Sequence, residues 1–225
     1  MTARILSVLI GYCFGCVLTA ELIAKFYAGK RAAELGETGN PGMANIMASL
    51  GFKPGIYTLI GDLSKCIFAM TISWLLFKKA GWIVTLYAGL GCTLGHDFPF
   101  WRGFRGGKGV ATSSVVIVVY SVLWGLLANI AGMLVTFGTQ YLCIAGPVIP
   151  LFFTVFMAIL GDWEAAVLSL VLSVLAVWCH SKSIRGIKNG TTSKTDVLGA
   201  IARKLGKKQD KEQKEKRRSR DADGE

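Results

Sequence analysis

Apolar residues in this chain gather into unbroken blocks instead of spaced stripes. The blocks cover residues 5–28, 55–77, 81–95 and then, almost without interruption, 110–178. A mostly apolar run of about 18 residues or more is long enough to cross the hydrocarbon core as a helix. The last block, about 69 residues long, exceeds what two such helices need and suits four short ones. Gly125, the Gln140 region and the segment 161–164 offer the breaks. The pattern predicts seven spans in an all-α, polytopic membrane helical bundle.

Three polar segments interrupt the blocks: 29–54, 95–109 and the stretch from His180 onward. They share a compartment if an even number of crossings separates each from the next, and two crossings followed by four meet that condition. A basic tail on the cytoplasmic side puts all three segments there and the N-terminus outside. Lys78 and Lys79 then face outward, against the usual charge bias, whereas Asp162 and Glu164 are compatible with an outer position.

Composition supports the reading. The 225 residues are 52% hydrophobic and 17% charged, with a mean hydropathy of +0.49, as expected of a membrane protein. The first block lacks a basic start followed by a small-residue cleavage site and carries Glu21 and Lys25 late, so it reads as a retained span and not a signal peptide. The net charge of +11 is concentrated near the C-terminus, where 14 basic residues face 7 acidic ones from Ser181 onward. A basic segment just after a span reads as an anchor to anionic membrane lipid, not as a nucleic-acid arm. The membrane-embedded domain is placed at residues 1–195 and a basic, disordered cytoplasmic tail at 196–225, where charge and glutamine dominate. The six cysteines lie inside or at the ends of apolar runs, and the pair Cys13 and Cys16 has no second pair to support a metal or redox site. With two isolated histidines besides, neither metal nor cofactor is expected, nor is an obligate protein partner.

The candidate chemistry centres on residues 95–109, GHDFPFWRGFRGGKG, followed at once by Val110, Ala111 and Thr112. Glycines allow backbone N–H groups to turn toward an anion, a helix starting near Val110 aims its positive end the same way, and Lys108 adds a full charge. The stretch is no Walker A loop, because Arg102 and Gly109 occupy the places of its first Gly and its final Ser or Thr. A phosphate pocket at the membrane surface fits better. Asp62 and Lys65, on one helix face within an apolar block, must pair or face water at that depth. Small residues between Glu37 and Asn45 suit tight turns, with Thr38, Asn40 and Asn45 offering neutral hydrogen bonds. Gly11, Gly15, Gly89, Gly91 and Gly132 are credited to helix packing.

Taken together these residues resemble the membrane-embedded acyl-phosphate:glycerol-3-phosphate acyltransferase family of bacterial phospholipid synthesis. The second motif of that family matches at Gly95, His96, Phe98, Pro99, Phe104, Gly106, Gly107, Lys108, Gly109, Val110, Ala111 and Thr112. The first is similar at Thr38, Gly39, Asn40, Gly42 and Asn45, and a Gly-Asp-x-x-Lys element appears as Gly61, Asp62 and Lys65. The resemblance implies an enzyme of the cell membrane that moves a fatty acyl group from acyl-phosphate to the 1-hydroxyl of glycerol 3-phosphate. The products would be lysophosphatidic acid and phosphate. It implies Lys108, His180 and Asn45 as catalytic residues. Gly106, Gly107, Lys108, Gly109, Thr112, Thr38, Gly39 and Asn40 would hold the donor phosphate, and Lys108, His180, Arg185 and Lys194 the acceptor. Asp62, Lys65 and His96 would support them.

The third motif departs from the family. His180, Ile184, Gly190, Thr191 and Lys194 match, whereas Ser183, Gly186 and Thr192 stand at the usual Asn, Arg and Glu places, and Glu34 at an expected Arg. Cys143 stands where a Ser is common and Gln140 near an expected Arg. A diverged member that uses another acceptor, or a non-catalytic lipid-phosphate-binding regulator, is the alternative. A transporter comes third, because only Asp62 and Lys65 supply paired charges within a span.

Overall fold

A computed structural model describes residues 1–36, 39–192 and 194, and no strand occurs among them. The helices are α1 (Thr2–Gly15), α2 (Thr19–Ala28), α3 (Met43–Leu50), α4 (Phe52–Phe77), α5 (Ile83–Asp97), α6 (Val110–Tyr120), α7 (Val122–Thr139), α8 (Leu142–Ile159) and α9 (Trp163–Lys188). The expected tail, 196–225, and Thr38 lie outside the described residues.

The expected apolar blocks are largely helical, the first with a break between Gly15 and Thr19. Among the described residues, five stretches are long and apolar enough to cross a membrane: Thr2–Ala28, Phe52–Ala80, Val122–Thr139, Leu142–Ile159 and Trp163–Lys188. Helices α5, with 15 residues, and α6, with 11, are shorter. The first break in the long block falls at Ser121, which is extended (φ −145°, ψ 104°), and not at Gly125. Gly125 lies inside α7, where a Cβ would stand 2.6 Å from the Ile117 carbonyl oxygen. Its small size brings α7 onto the last turn of α6 instead of ending a helix. The other two breaks fall where expected: Gln140 adopts φ 62°, and Asp162 caps α9 by accepting from the Ala165 N–H at 3.1 Å.

Helix α5 lies at the centre, with Leu86, Cys92 and most of its other residues buried. It crosses α1 along a glycine seam. A Cβ on Gly11, Gly15, Gly91 or Gly95 would run into the carbonyl of Ala88, Cys92, Val8 or Tyr12 respectively. Backbones pack this closely in lipid only where side chains are absent, because neighbouring helices gain van der Waals contact and no hydrophobic drive. Large apolar side chains such as Leu134 on α7 and Val174 and Trp178 on α9 point outward, as lipid solvent favours.

Polar contacts at both ends of α9 orient the bundle. Arg4, at the start of α1, pairs with Glu164 in the first turn of α9, Nη2 to Oε2 2.8 Å, and the Tyr87 hydroxyl donates to the same carboxylate at 2.9 Å. Lys108 meets Ser183 near the other end of α9. A helix of 26 residues is about 39 Å long. The start of the chain and the glycine-rich segment therefore lie at opposite ends of it.

Candidate functional site

The site begins with a broken helix. α1 stops at Gly15 and α2 starts at Thr19, which leaves carbonyls at the break without intrahelical donors. Lys65 reaches across from α4, its Nζ 2.9 Å from the Val17 oxygen and 3.4 Å from that of Gly15. The same ammonium lies 2.8 Å from Asp62 Oδ1 and 2.8 Å from His96 Nδ1. Both members of the ion pair are buried, so the expected pairing at depth is present, and the cation also serves a helix C-terminal end. An ammonium has only donors, so His96 accepts at Nδ1 and carries its proton on Nε2.

His96 in turn shapes the glycine run. The Gly107 N–H donates to the His96 carbonyl at 2.9 Å and the Gly106 N–H to the Asp97 carbonyl at 2.9 Å. A Cβ on Gly107 would stand 2.0 Å from His96 Nε2, and one on Gly106 2.0 Å from the His96 carbonyl oxygen. These two glycines clasp the end of α5. Their amides are spent within the chain and do not turn toward an anion as residue order alone suggests. The free donors lie one step further on, in the first turn of α6 at Val110, Ala111 and Thr112, where no intrahelical acceptor exists. Gly109 caps that helix at φ 67°, a left-handed conformation that also lets Asp97 Oδ2 come within 2.7 Å of where a Cβ would be. The Thr112 hydroxyl points inward and donates to the Gly109 carbonyl at 3.1 Å.

Lys108 links this loop to α9, its Nζ 3.3 Å from Ser183 Oγ. His180 is buried one turn earlier with Nδ1 2.9 Å from the Ala176 carbonyl oxygen. That bond puts the proton on Nδ1 and leaves Nε2 as an acceptor. Gly146 on α8 makes the fit possible, since a Cβ there would stand 2.8 Å from His180 Cε1 and 3.2 Å from Val110 Cγ2. Lys108, His180, Ser183 and the start of α6 thus converge from distant parts of the chain.

Within the first polar segment, the buried Asn45 amide donates to the Leu35 carbonyl at 2.9 Å and to that of Ala32 at 3.3 Å, and these bonds fold the segment on itself. Gly39 has φ 56°, and the Asn40 carbonyl accepts the Gly42 N–H at 2.9 Å. Arg185 and Lys194 are exposed. Gly186 is covered by the turn that follows α9: the N–H groups of Thr191 and Thr192 donate to its carbonyl at 2.9 and 3.1 Å, and a Cβ on it would collide with Thr192 Oγ1. The Thr192 and Thr191 hydroxyls stand 2.3 and 2.9 Å from where the Cβ of an arginine at this position would be. Among the described residues, no three His, Cys, Asp or Glu side chains are placed to hold a metal.

Residues 5–190 match the family described as glycerol-3-phosphate acyltransferase. The chain belongs to that family. It is 38% identical over 207 residues to glycerol-3-phosphate acyltransferase 1 of Lactobacillus acidophilus, covering 91% of this chain and 98% of the relative. The Lactobacillus johnsonii protein of the same name is 36% identical over 200 residues, covering 89% and 96%. Among solved structures, the glycerol 3-phosphate form of PlsY, an integral membrane glycerol 3-phosphate acyltransferase, superposes with a TM-score of 0.77 at 26% identity, covering 88% of this chain and 98% of that one. The lysophosphatidic acid form gives 0.73 at 25% identity, covering 85% and 94%. The protein is an integral membrane acyltransferase.

Sequence reasoning misses one contact beside the glycine run. Glu21 and Arg102 form an ion pair at 2.8 Å between α2 and the loop before the glycine run. By residue order Glu21 is only a polar residue late in a span. Residues so far apart in the chain, with no shared periodicity, carry no local signal of their contact.

Proposed function

We propose that the chain transfers a fatty acyl group from acyl-phosphate to the 1-hydroxyl of glycerol 3-phosphate, releasing phosphate and lysophosphatidic acid. The observation that carries the reading is the meeting of Lys108 with Ser183 one turn from His180. Acyl-phosphate is a mixed anhydride and already activated, so the site has to bind two phosphates, align a hydroxyl with a carbonyl and stabilise oxyanion charge. Lys108 and the first-turn amides of α6 suit the anions. His180 Nε2 accepts from the 1-hydroxyl and aims it at the acyl carbon. The new ester C–O bond forms as the bond to phosphate breaks, and the hydroxyl proton leaves on the departing phosphate.

Gly39, Asn40 and Asn45 border the same pocket in this scheme, with Gly106, Gly107, Gly109 and Thr112 shaping its donor side. Arg185 and Lys194 draw the acceptor from the exposed rim. Asp62, Lys65 and His96 brace the pocket from the membrane side. In a bacterial plasma membrane the chain crosses seven times, N-terminus outside and C-terminus in the cytoplasm. The contacts of Arg4 and Lys108 at opposite ends of α9 support that arrangement.

Purified protein given palmitoyl-phosphate and radiolabelled glycerol 3-phosphate should form labelled lysophosphatidic acid, and palmitoyl-CoA should not replace the donor. Activity unchanged in Lys108→Ala would remove the phosphate role. A second acceptor, a small hydroxyl compound of lower charge, is favoured by the closed turn over Gly186. Competition of such alcohols against labelled glycerol 3-phosphate distinguishes the two.

A further inference from the structure

We infer that Glu21 and Arg102 are positioning residues that hold the first polar segment and the glycine run at a fixed separation. The inference rests on the acyl-transfer reading only for its kinetic readout. Glu21 stands in the first turn of α2 and Arg102 in a one-turn helix, Phe100–Arg102, just before the glycine run. Arg102 Nη2 is 2.8 Å from Glu21 Oε1, with side chains only 8% and 14% exposed. Each partner also holds backbone on its own side. Glu21 Oε2 accepts the Ala32 N–H at 2.9 Å, and Arg102 Nη1 donates to the Arg105 carbonyl at 3.0 Å, immediately before Gly106.

These bonds form one chain of contacts across the site. Asn45 holds the Ala32 carbonyl, Ala32 holds Glu21, Glu21 holds Arg102, and Arg102 holds Arg105. Two other bonds fasten the same loop: Trp101 Nε1 donates to the Cys16 carbonyl at 2.8 Å and the Tyr12 hydroxyl to that of Phe98 at 2.8 Å. Both lead to α1 and its break. Neither reaches the first segment, and the Glu21–Arg102 pair does. An arginine is suited to this task, because its two terminal nitrogens face a carboxylate and a carbonyl at once, which a single lysine ammonium on a flexible stem does not reproduce. Removing one charge leaves the other nearly buried without compensation, so the two segments would drift together out of place.

The test uses full-length protein in detergent micelles with Glu21→Gln, Arg102→Gln and the double variant. The amide oxygen introduced by Glu21→Gln still accepts the Ala32 N–H, and the amide introduced by Arg102→Gln still offers a donor. The double variant therefore removes both charges and leaves a neutral amide on each side. Each single variant should lower kcat by about 10- to 100-fold, as a misplaced reacting group does, with KM for glycerol 3-phosphate within about threefold of wild type. The double variant should recover most of that loss. Amide hydrogen exchange should rise in both 30–36 and 103–109 in each single variant and return toward wild type in the double. The positioning role is overturned by a folded single variant whose kcat stays within about twofold of wild type, or by losses that add on a logarithmic scale in the double. It is equally overturned if exchange rises in 103–109 alone. Should wild-type protein form no lysophosphatidic acid, the functional reading falls, and the exchange measurement still decides whether the pair holds the two segments together.

Discussion

Lys65 offers the sharpest test of how the site is supported. Lys65→Met keeps a side chain of similar length and removes an ammonium that touches Asp62, His96 and the Val17 carbonyl, each within 2.9 Å. Asp62 is only 2% exposed, so its carboxylate would lose the ammonium beside it and keep only the His96 ring, 3.6 Å away. Breaking a buried pair from one side destabilises a protein by about 3–5 kcal/mol, and the orphaned helix-end carbonyl adds about 1 kcal/mol. For a chain of this size that lowers the melting midpoint by about 10 °C or more. Removing both charges in Asp62→Asn/Lys65→Met should restore a good part of the loss, since the uncompensated carboxylate accounts for most of it. Thermal unfolding of purified protein in detergent, followed by tryptophan fluorescence or by labelling of the buried Cys66 and Cys92 thiols, reads the shift. A Lys65→Met protein that melts with wild type, or a double variant less stable than Lys65→Met, would refute the argument.

Gly107→Ala should abolish folding or activity, because its methyl would clash with the His96 ring at 2.0 Å, whereas Gly138→Ala in α7 meets no neighbour and should stabilise by up to about 1 kcal/mol through helix propensity. Thermal midpoints of the two variants compare them directly. Gly146→Ala should push His180 off its bond to Ala176 and lower kcat by at least about tenfold while the protein stays folded, read by steady-state kinetics beside a melting curve. Gly186→Arg, which would install the residue usual in the family, should open the turn at Thr191 and Thr192 and weaken the protein instead of improving its affinity for glycerol 3-phosphate; KM and melting midpoint together check this.

The apolar blocks, the three polar segments between them and the kinship of the glycine run were legible from residue order alone. Lipid makes this so: a chain that must satisfy its own backbone polar groups while crossing hydrocarbon writes each helix as a local, contiguous apolar run. The pairing of Asp62 with Lys65 was legible for the same reason, since two charges at that depth have few partners to choose from. Where the long block breaks was not, because Gly125 serves a close helix contact as readily as a turn and only its packing against Ile117 distinguishes the two.

Tertiary structure decided which polar groups meet and which donors stay free. Gly106 and Gly107 have the look of anion donors in the sequence and form a clasp in the fold, because the carbonyls at the end of α5 lie within reach of their amides. Lys65 serves a break in a different helix, Lys108 meets α9, and Glu21 meets Arg102, each through helix crossings that residue order does not encode locally. Hydropathy is a property of a segment and survives in the sequence; a contact between segments depends on where glycine lets two backbones approach, and exists only once the bundle has packed.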